Sequence, residues 1–191
     1  MIVLELIKKS RSYRRFNQNI EVKDKDLALM IEAARFSPSS RNIQPIKYIV
    51  SNTPDNNSKI FPTLGWAGYL TDWDGPEQGE QPAAYIIQVL DTSISATCSC
   101  DNGITAQSIL LQAVELGYGG CIIASVKKAE LAEILDLDPK YQIIQVIALG
   151  VPVEKVIVED MVDNNYKYWR DQDHTHHVPK RTMQELLIKK L

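Results

Sequence analysis

Five consecutive residues near the start of the chain, Arg11-Ser12-Tyr13-Arg14-Arg15, combine guanidinium forks with a hydroxyl, a donor set suited to gripping a phosphate. A second basic pair, Lys180-Arg181, lies near the other end and offers another grip. Taken alone, each cluster is more often a solvated charged face than a phosphate grip. No Gly-x-Gly-x-x-Gly follows a strand pattern and there is no Gly-Lys-Ser/Thr loop, so neither a Rossmann turn nor a P-loop is on offer. All three histidines, His174, His176 and His177, fall in one C-terminal stretch, from which a Ser-His-Asp or Cys-His site would have to draw its base. They read as a polar, histidine-rich arm rather than a metal site, because no carboxylate or thiolate stands at a familiar ligand spacing. Cys98-x-Cys100 lacks the two-residue spacer of a redox or zinc motif and reads as small residues of a strand or loop.

The elements that must position these groups follow from periodicity. Leu4 and Ile7 mark a short first helix ending near Ser10. A second helix, capped by Asp24 or Asp26, places Leu27, Met30, Ile31 and Ala34 at helical spacing and stops before Pro38. Buried strands are expected at Ile46–Val50 and Ala83–Leu90. Between them, residues 51–82 are rich in Pro, Gly, Asn and Asp, hold Trp66, Tyr69 and Trp73, and are too long for a plain connection. A third helix spans Asp101–Leu116 and is closed by Gly117; a strand near Cys121–Ala124, a helix near Lys128–Leu135 and a strand run at Ile143–Leu149 complete the body. Residues from Asn164 onward form an arm.

Composition sets the limits. The chain has 191 residues, 45% hydrophobic and 24% charged, which is globular and excludes a disordered or collagen-like protein. A domain of this size buries roughly 70% of its unfolded surface and needs neither disulfides nor a structural metal. A net charge of -3, from 21 basic and 24 acidic residues, argues against nucleic acid as a partner. No apolar run reaches the ~18 residues of a membrane span. Three cysteines make no disulfide framework, and Met1–Lys9 carries charge inside its apolar stretch without a cleavage site, so a cytoplasmic protein is expected.

Four motifs in order then resemble the nitroreductase family of flavoproteins. Arg11-Ser12-Tyr13-Arg14-Arg15-Phe16 matches an Arg-Ser-x-Arg-x-Phe element. Pro38-Ser39, Asn42 and Gln44-Pro45 match a Pro-Ser-x-x-Asn-x-Gln-Pro element, although the family's common tryptophan is Ile46 here. Gly117, Gly119 and Cys121 match a Gly-x-Gly-x-Cys element after a helix, and Lys180-Arg181 the terminal basic pair.

The resemblance implies an α+β fold, a central antiparallel sheet wrapped by helices, in an intertwined homodimer with FMN at the interface. Residues 1–191 would form a single domain, carrying an aromatic insert at about 62–82 and an arm at about 164–191. Arg11, Ser12 and Arg14, with Lys180 or Arg181, would hold the phosphate and ribityl chain. Pro38, Ser39 and Asn42 would reach the flavin from the other subunit, and the backbone of Gly119 and Gly120 would pass close to the ring. Tyr13, Ser40, Gln44 and Cys121 complete the expected cofactor site, while Trp66 and Tyr69 are expected to contact substrate. The implied activity passes hydride from NADH or NADPH, through FMN, to a small flat acceptor such as a nitroaromatic or quinone; no catalytic side chain and no metal are required, since the cofactor carries the chemistry. The alternatives are flavin reduction, reductive dehalogenation or another family reaction, and a flavin-binding or sensing protein without turnover.

Overall fold

The computed structural model describes residues 2–191. Its centre is β3 (Ala84–Asp91), buried along its whole length, with antiparallel neighbours β2 (Ile46–Ser51) and the long β5 (Tyr141–Pro152). β4 (Gly119–Ile123) and the two-residue β1 (Phe16–Asn17) pair antiparallel with β5, giving a five-stranded sheet. Alternation along β3 decides which helices each residue meets. Ala84 and Ile86 join Ile147 and Leu149 in a cluster under α2 (Asp24–Arg35) and α4 (Asp101–Glu115), which supply Leu27, Met30, Ile109 and Ala113. Tyr85, Ile87 and Val89 face the opposite way, onto Ile60 of α3 (Pro54–Ile60) and Leu131 of α5 (Lys128–Ile134). Burial on both faces explains why β3 reads as a nearly unbroken apolar run.

Local signals account for the ends of the elements. α4 closes in a Schellman arrangement: Tyr118 N–H donates to the Ala113 carbonyl at 2.8 Å and Gly117 N–H to Val114 at 3.1 Å, with Gly117 at φ 88°. α2 departs from expectation at its start. Its N-cap is Lys23, with no side-chain cap, and Asp24 and Asp26 lie inside the first turn, where their charge favours the positive end of the helix dipole.

The stretch 51–82 is also more ordered than its composition suggests. α3 and a 3-10 turn (Phe61–Thr63) occupy its first third, Pro54 standing at the helix start where its missing N–H costs nothing. Irregular chain runs from Leu64, tied to the body by Gly65 N–H on the Ser125 carbonyl at 2.7 Å. The C-terminal arm likewise forms a small sheet with the segment just before it, β6 (Val156–Asp160) running parallel to β8 (His176–Lys180) and β7 (Trp169–Arg170) antiparallel to β8. α1 (Val3–Lys9) and α6 (Met183–Leu186) flank the two ends, α6 opening on a capping box between Thr182 and Glu185. Among the described residues no helix is long and apolar enough to cross a membrane.

Candidate functional site

The two ends of the chain meet at one cavity. Ser10, Arg11, Ser12 and Arg14 line it from the N-terminal loop, and Tyr166, Tyr168, His176, Val178, Pro179 and Lys180 from the arm, around about 380 Å³. The N-terminal loop is held by a bridge of Ser12 to Gly120 and by Tyr13 N–H on the Gly120 carbonyl at 3.0 Å. Arg11 donates through Nη2 to the Ile7 carbonyl at 2.6 Å, while its Nε is buried with no partner. Arg14 is only 9% exposed. Its Nη1 donates to the Ser12 carbonyl and to His176 Nε2, both at 3.2 Å, its guanidinium lies 4.7 Å from the Tyr168 ring centre, and its backbone N–H donates to Glu154. Buried cationic nitrogens of this kind need an acceptor, so the cradle suits an anion.

Other expected residues are placed differently. Lys180 lines the cavity, whereas Arg181 pairs with Glu185 and Asn164, each at 3.1 Å, outside it. Tyr13 turns away, its ring over Gly119 and its hydroxyl donating to the Lys9 carbonyl at 3.1 Å; burial raises its pKa. The space that a Cβ would take at Gly119 is filled by Tyr13 and Pro152, and at Gly120 by the Ala148 carbonyl, 2.5 Å away. Both glycines are therefore required by packing inside the chain itself. Cys121 is buried beside them, and burial pushes its thiol up, which makes it a poor nucleophile.

The Pro38–Gln44 loop forms a separate cluster at the N-terminus of α4. Asp101 organises it, accepting from Ser39 Oγ at 2.5 Å and from Ser40 N–H at 2.9 Å. Ser39 Oγ in turn accepts from Gln44 N–H at 2.8 Å, and Gln44 Nε2 reaches Asn42. Arg41, Asn42 and Gln44 all take left-handed backbone, with φ between 52° and 57°. Three such residues within four positions are costly, and such strain collects at functional sites. Among the described residues no hydrogen bond, ion pair or ring contact joins this loop to the arginine cavity.

The aromatic insert docks on the arm. Tyr69 packs against Tyr168 (4.9 Å between ring centres) and Tyr166 (6.2 Å), and Arg170 sits 4.6 Å from the Trp73 ring centre. Trp66 instead turns inward, 5.7 Å from Phe61 and directly against Gly75, and with Arg14 and Cys121 it walls a small cavity of about 110 Å³. Arg15 forms a two-pronged pair with Glu80 at 2.5 and 2.6 Å, away from the cavity.

Sequence reasoning missed the cavity residues Ser10, Tyr166, Tyr168, His176, Val178 and Pro179, and Glu154, which accepts the Arg14 backbone N–H. His176 is 1% exposed, so the expected polar histidine arm is corrected here: burial and the guanidinium groups of Arg14 and Arg170 push its pKa down to about 4. His177, the next residue, faces the other way, stacked on Trp169 at 4.0 Å, and hydrogen bonds to Glu159 and Asp171 raise its pKa. The sequence carried no signal for the burial of His176: His176-His177-Val178-Pro179-Lys180 does not alternate apolar with polar residues, and β8 buries only His176 fully.

A Bacillus subtilis protein named for NAD(P)H nitroreductase activity, YdgI, is 21% identical, over 77% of this chain and 87% of its own. An FMN-dependent nitroreductase from Clostridium difficile R20291 superposes with a TM-score of 0.67 at 23% identity, covering 89% of this chain and 99% of that one. An NADPH:FMN oxidoreductase from Vibrio harveyi gives 0.66 at 21% identity, covering 88% and 76%. The model of the nitroreductase family matches residues 7–67 and 95–151, the segments that carry the arginine loop, the Pro38–Gln44 loop and β4. With its antiparallel sheet, flanking helices and these loops in place, the chain belongs to the nitroreductase family.

Proposed function

We propose that the protein is a single-domain FMN-dependent oxidoreductase that passes hydride from NADH or NADPH to a small flat acceptor such as a nitroaromatic or quinone. One observation carries the reading: the cavity that brings Arg11, Ser12, Arg14 and Lys180 together from the two chain ends, the Nε of the lining residue Arg11 being buried and unpartnered. That donor set fits a phosphate monoester, and Arg11, Ser12, Arg14 and Lys180 would hold the FMN phosphate and ribityl chain. FMN, when bound, supplies the hydride chemistry. The chain's own residues bind and orient it and exclude water. Tyr69, 46% exposed beside Tyr166 and Tyr168, is suited to meet an acceptor, while Trp66 anchors the insert from within.

The reading includes a homodimer. Pro38, Ser39, Ser40, Asn42 and Gln44 would complete the partner's flavin site, which explains a strained loop that no group of its own chain closes over. Apolar side chains at both ends support a covering copy: Val3 and Leu4 of α1, and Leu186, Leu187, Ile188 and Leu191, are exposed, Ile188 to 96%. Free Cys98, Cys100 and Cys121 suit a reducing cytoplasm.

The test is direct. Purified protein should be yellow, bleach with NADH or NADPH without oxygen, and regain colour with acceptors from a nitroaromatic and quinone panel. A yellow protein that neither nicotinamide bleaches would instead be a flavin-binding module. Sedimentation should give a dimer; a monomer with stoichiometric FMN would remove the shared-site reading.

A further inference from the structure

The arm delivers one side chain whose chemistry the packing does not require. β8 is tied into the body where His176 N–H donates to the Lys155 carbonyl at 2.8 Å, which sends the imidazole inward against Arg14. Arg14 Nη1 can donate to Nε2 only if the imidazole is neutral with its proton on Nδ1. Burial, together with the nearby Arg14 and Arg170, maintains that neutral form. The Nδ1 atom, however, is buried and meets no partner. An apolar residue would fill the same place without leaving a buried donor unsatisfied, so folding alone does not account for histidine here. What imidazole adds is an acceptor aimed at one arm of a guanidinium.

Two neighbours complete the constraint. The Ser12 carbonyl takes a second bond from Nη1, and the Tyr168 ring covers one face of the guanidinium while lying 5.1 Å from the imidazole. No further protein acceptor meets the remaining N–H groups of Arg14 among the described residues. We propose that His176 is a positioning residue, whose Nε2 orients Arg14 so that its free N–H edge faces a phosphate monoester in the adjoining cavity. The arm of the same chain thus aims the anion site as well as roofing it. A fork held in place loses little rotamer entropy when it binds. This inference rests on the flavin-phosphate reading above.

The experiment separates the two. Full-length protein freed of flavin is titrated by fluorescence with FMN and with riboflavin, which lacks the phosphate. His176→Leu should raise the FMN Kd about tenfold and leave the riboflavin Kd within about twofold. His176→Gln, whose amide oxygen can stand near the place of Nε2, should keep the FMN Kd within about threefold of wild type. His176→Asn, too short to reach, should behave like leucine and serves if the leucine variant does not fold. A loss shared equally by FMN and riboflavin, or by the glutamine and asparagine variants, would overturn the positioning role. Wild-type protein that does not prefer FMN to riboflavin would remove the phosphate reading and this inference together. A wild-type preference that survives His176→Leu or His176→Asn undiminished would remove this inference alone.

Discussion

The arginine cavity and the Pro38–Gln44 loop are two halves of one proposed site, built on opposite principles. The cavity joins residues 10–14 to residues 166–180, and its central group, Arg14, is buried under Tyr168 and His176 of the same chain. The loop is seven consecutive residues hung on one carboxylate, Asp101, with three of them in left-handed backbone. A cavity closed by its own chain can hold a charged ligand end in one protomer. A strained loop with no covering group is prepared for something from outside. In the proposed homodimer, the two halves would therefore contribute unevenly to one site.

The largest effect should fall on the cavity. Arg14→Ala removes a charge-assisted contact of about 1.5–3 kcal/mol, so the FMN Kd should rise about 10- to 150-fold. Arg15→Ala should change it by no more than about twofold, because the partly buried Arg15 is engaged with Glu80 and does not line the cavity. Equal losses by equilibrium titration would dissolve the assignment of Arg14 to the ligand.

On the loop, Asp101→Ala strips the acceptor from Ser39 and Ser40, a cost of about 1–3 kcal/mol. Calorimetry should show a drop in Tm on the order of 5 °C. FMN affinity should fall less than for Arg14→Ala. A larger fall would mean that the loop, not the cavity, dominates retention.

Next come the two adjacent histidines of β8, which should answer pH in opposite senses. The depressed pKa of His176 means that its contribution to stability is complete above the ordinary histidine value near 6.5 and is lost as pH falls toward about 4. The pKa of His177 is raised by Glu159 and Asp171, so its contribution is complete below about 6.5 and is lost as pH climbs through the raised value. Thermal melts across this range on His176→Gln and His177→Gln should flatten the acid and alkaline limbs respectively. If both variants flatten the same limb, the two-faced reading of β8 is wrong.

The smallest effect on stability should come from Tyr69→Ala, which trims a half-exposed ring. It should reorder kcat/KM across a panel of acceptors while leaving FMN binding intact. Uniform loss for all acceptors would make the insert purely structural. Trp66→Ala is the contrast: a ring packed on Phe61 and Gly75 should cost folding stability without changing the acceptor ranking.

The sequence by itself determined most strands and helices of the body, though not α3 or the two-residue β1. Leu27, Met30 and Ala34 repeat at helical spacing because one helix face must be buried, and β3 reads as a nearly unbroken apolar run because both its faces are covered. Ordered motifs also sufficed for the family, since Arg11-Ser12-x-Arg14 and Pro38-Ser39 are short segments whose chemistry is local. What depends on distant partners was not legible. Whether Lys180 or Arg181 reaches the cavity turns on where β8 ends: Lys180 is its last residue, paired with Asp160 of β6, and Arg181 lies past it on Asn164 and Glu185. The inward burial of His176, the inward turn of Trp66 and the docking of Tyr69 on the arm were likewise decided by tertiary structure, because burial depends on the surface brought opposite a residue, and that surface lies far away along the chain.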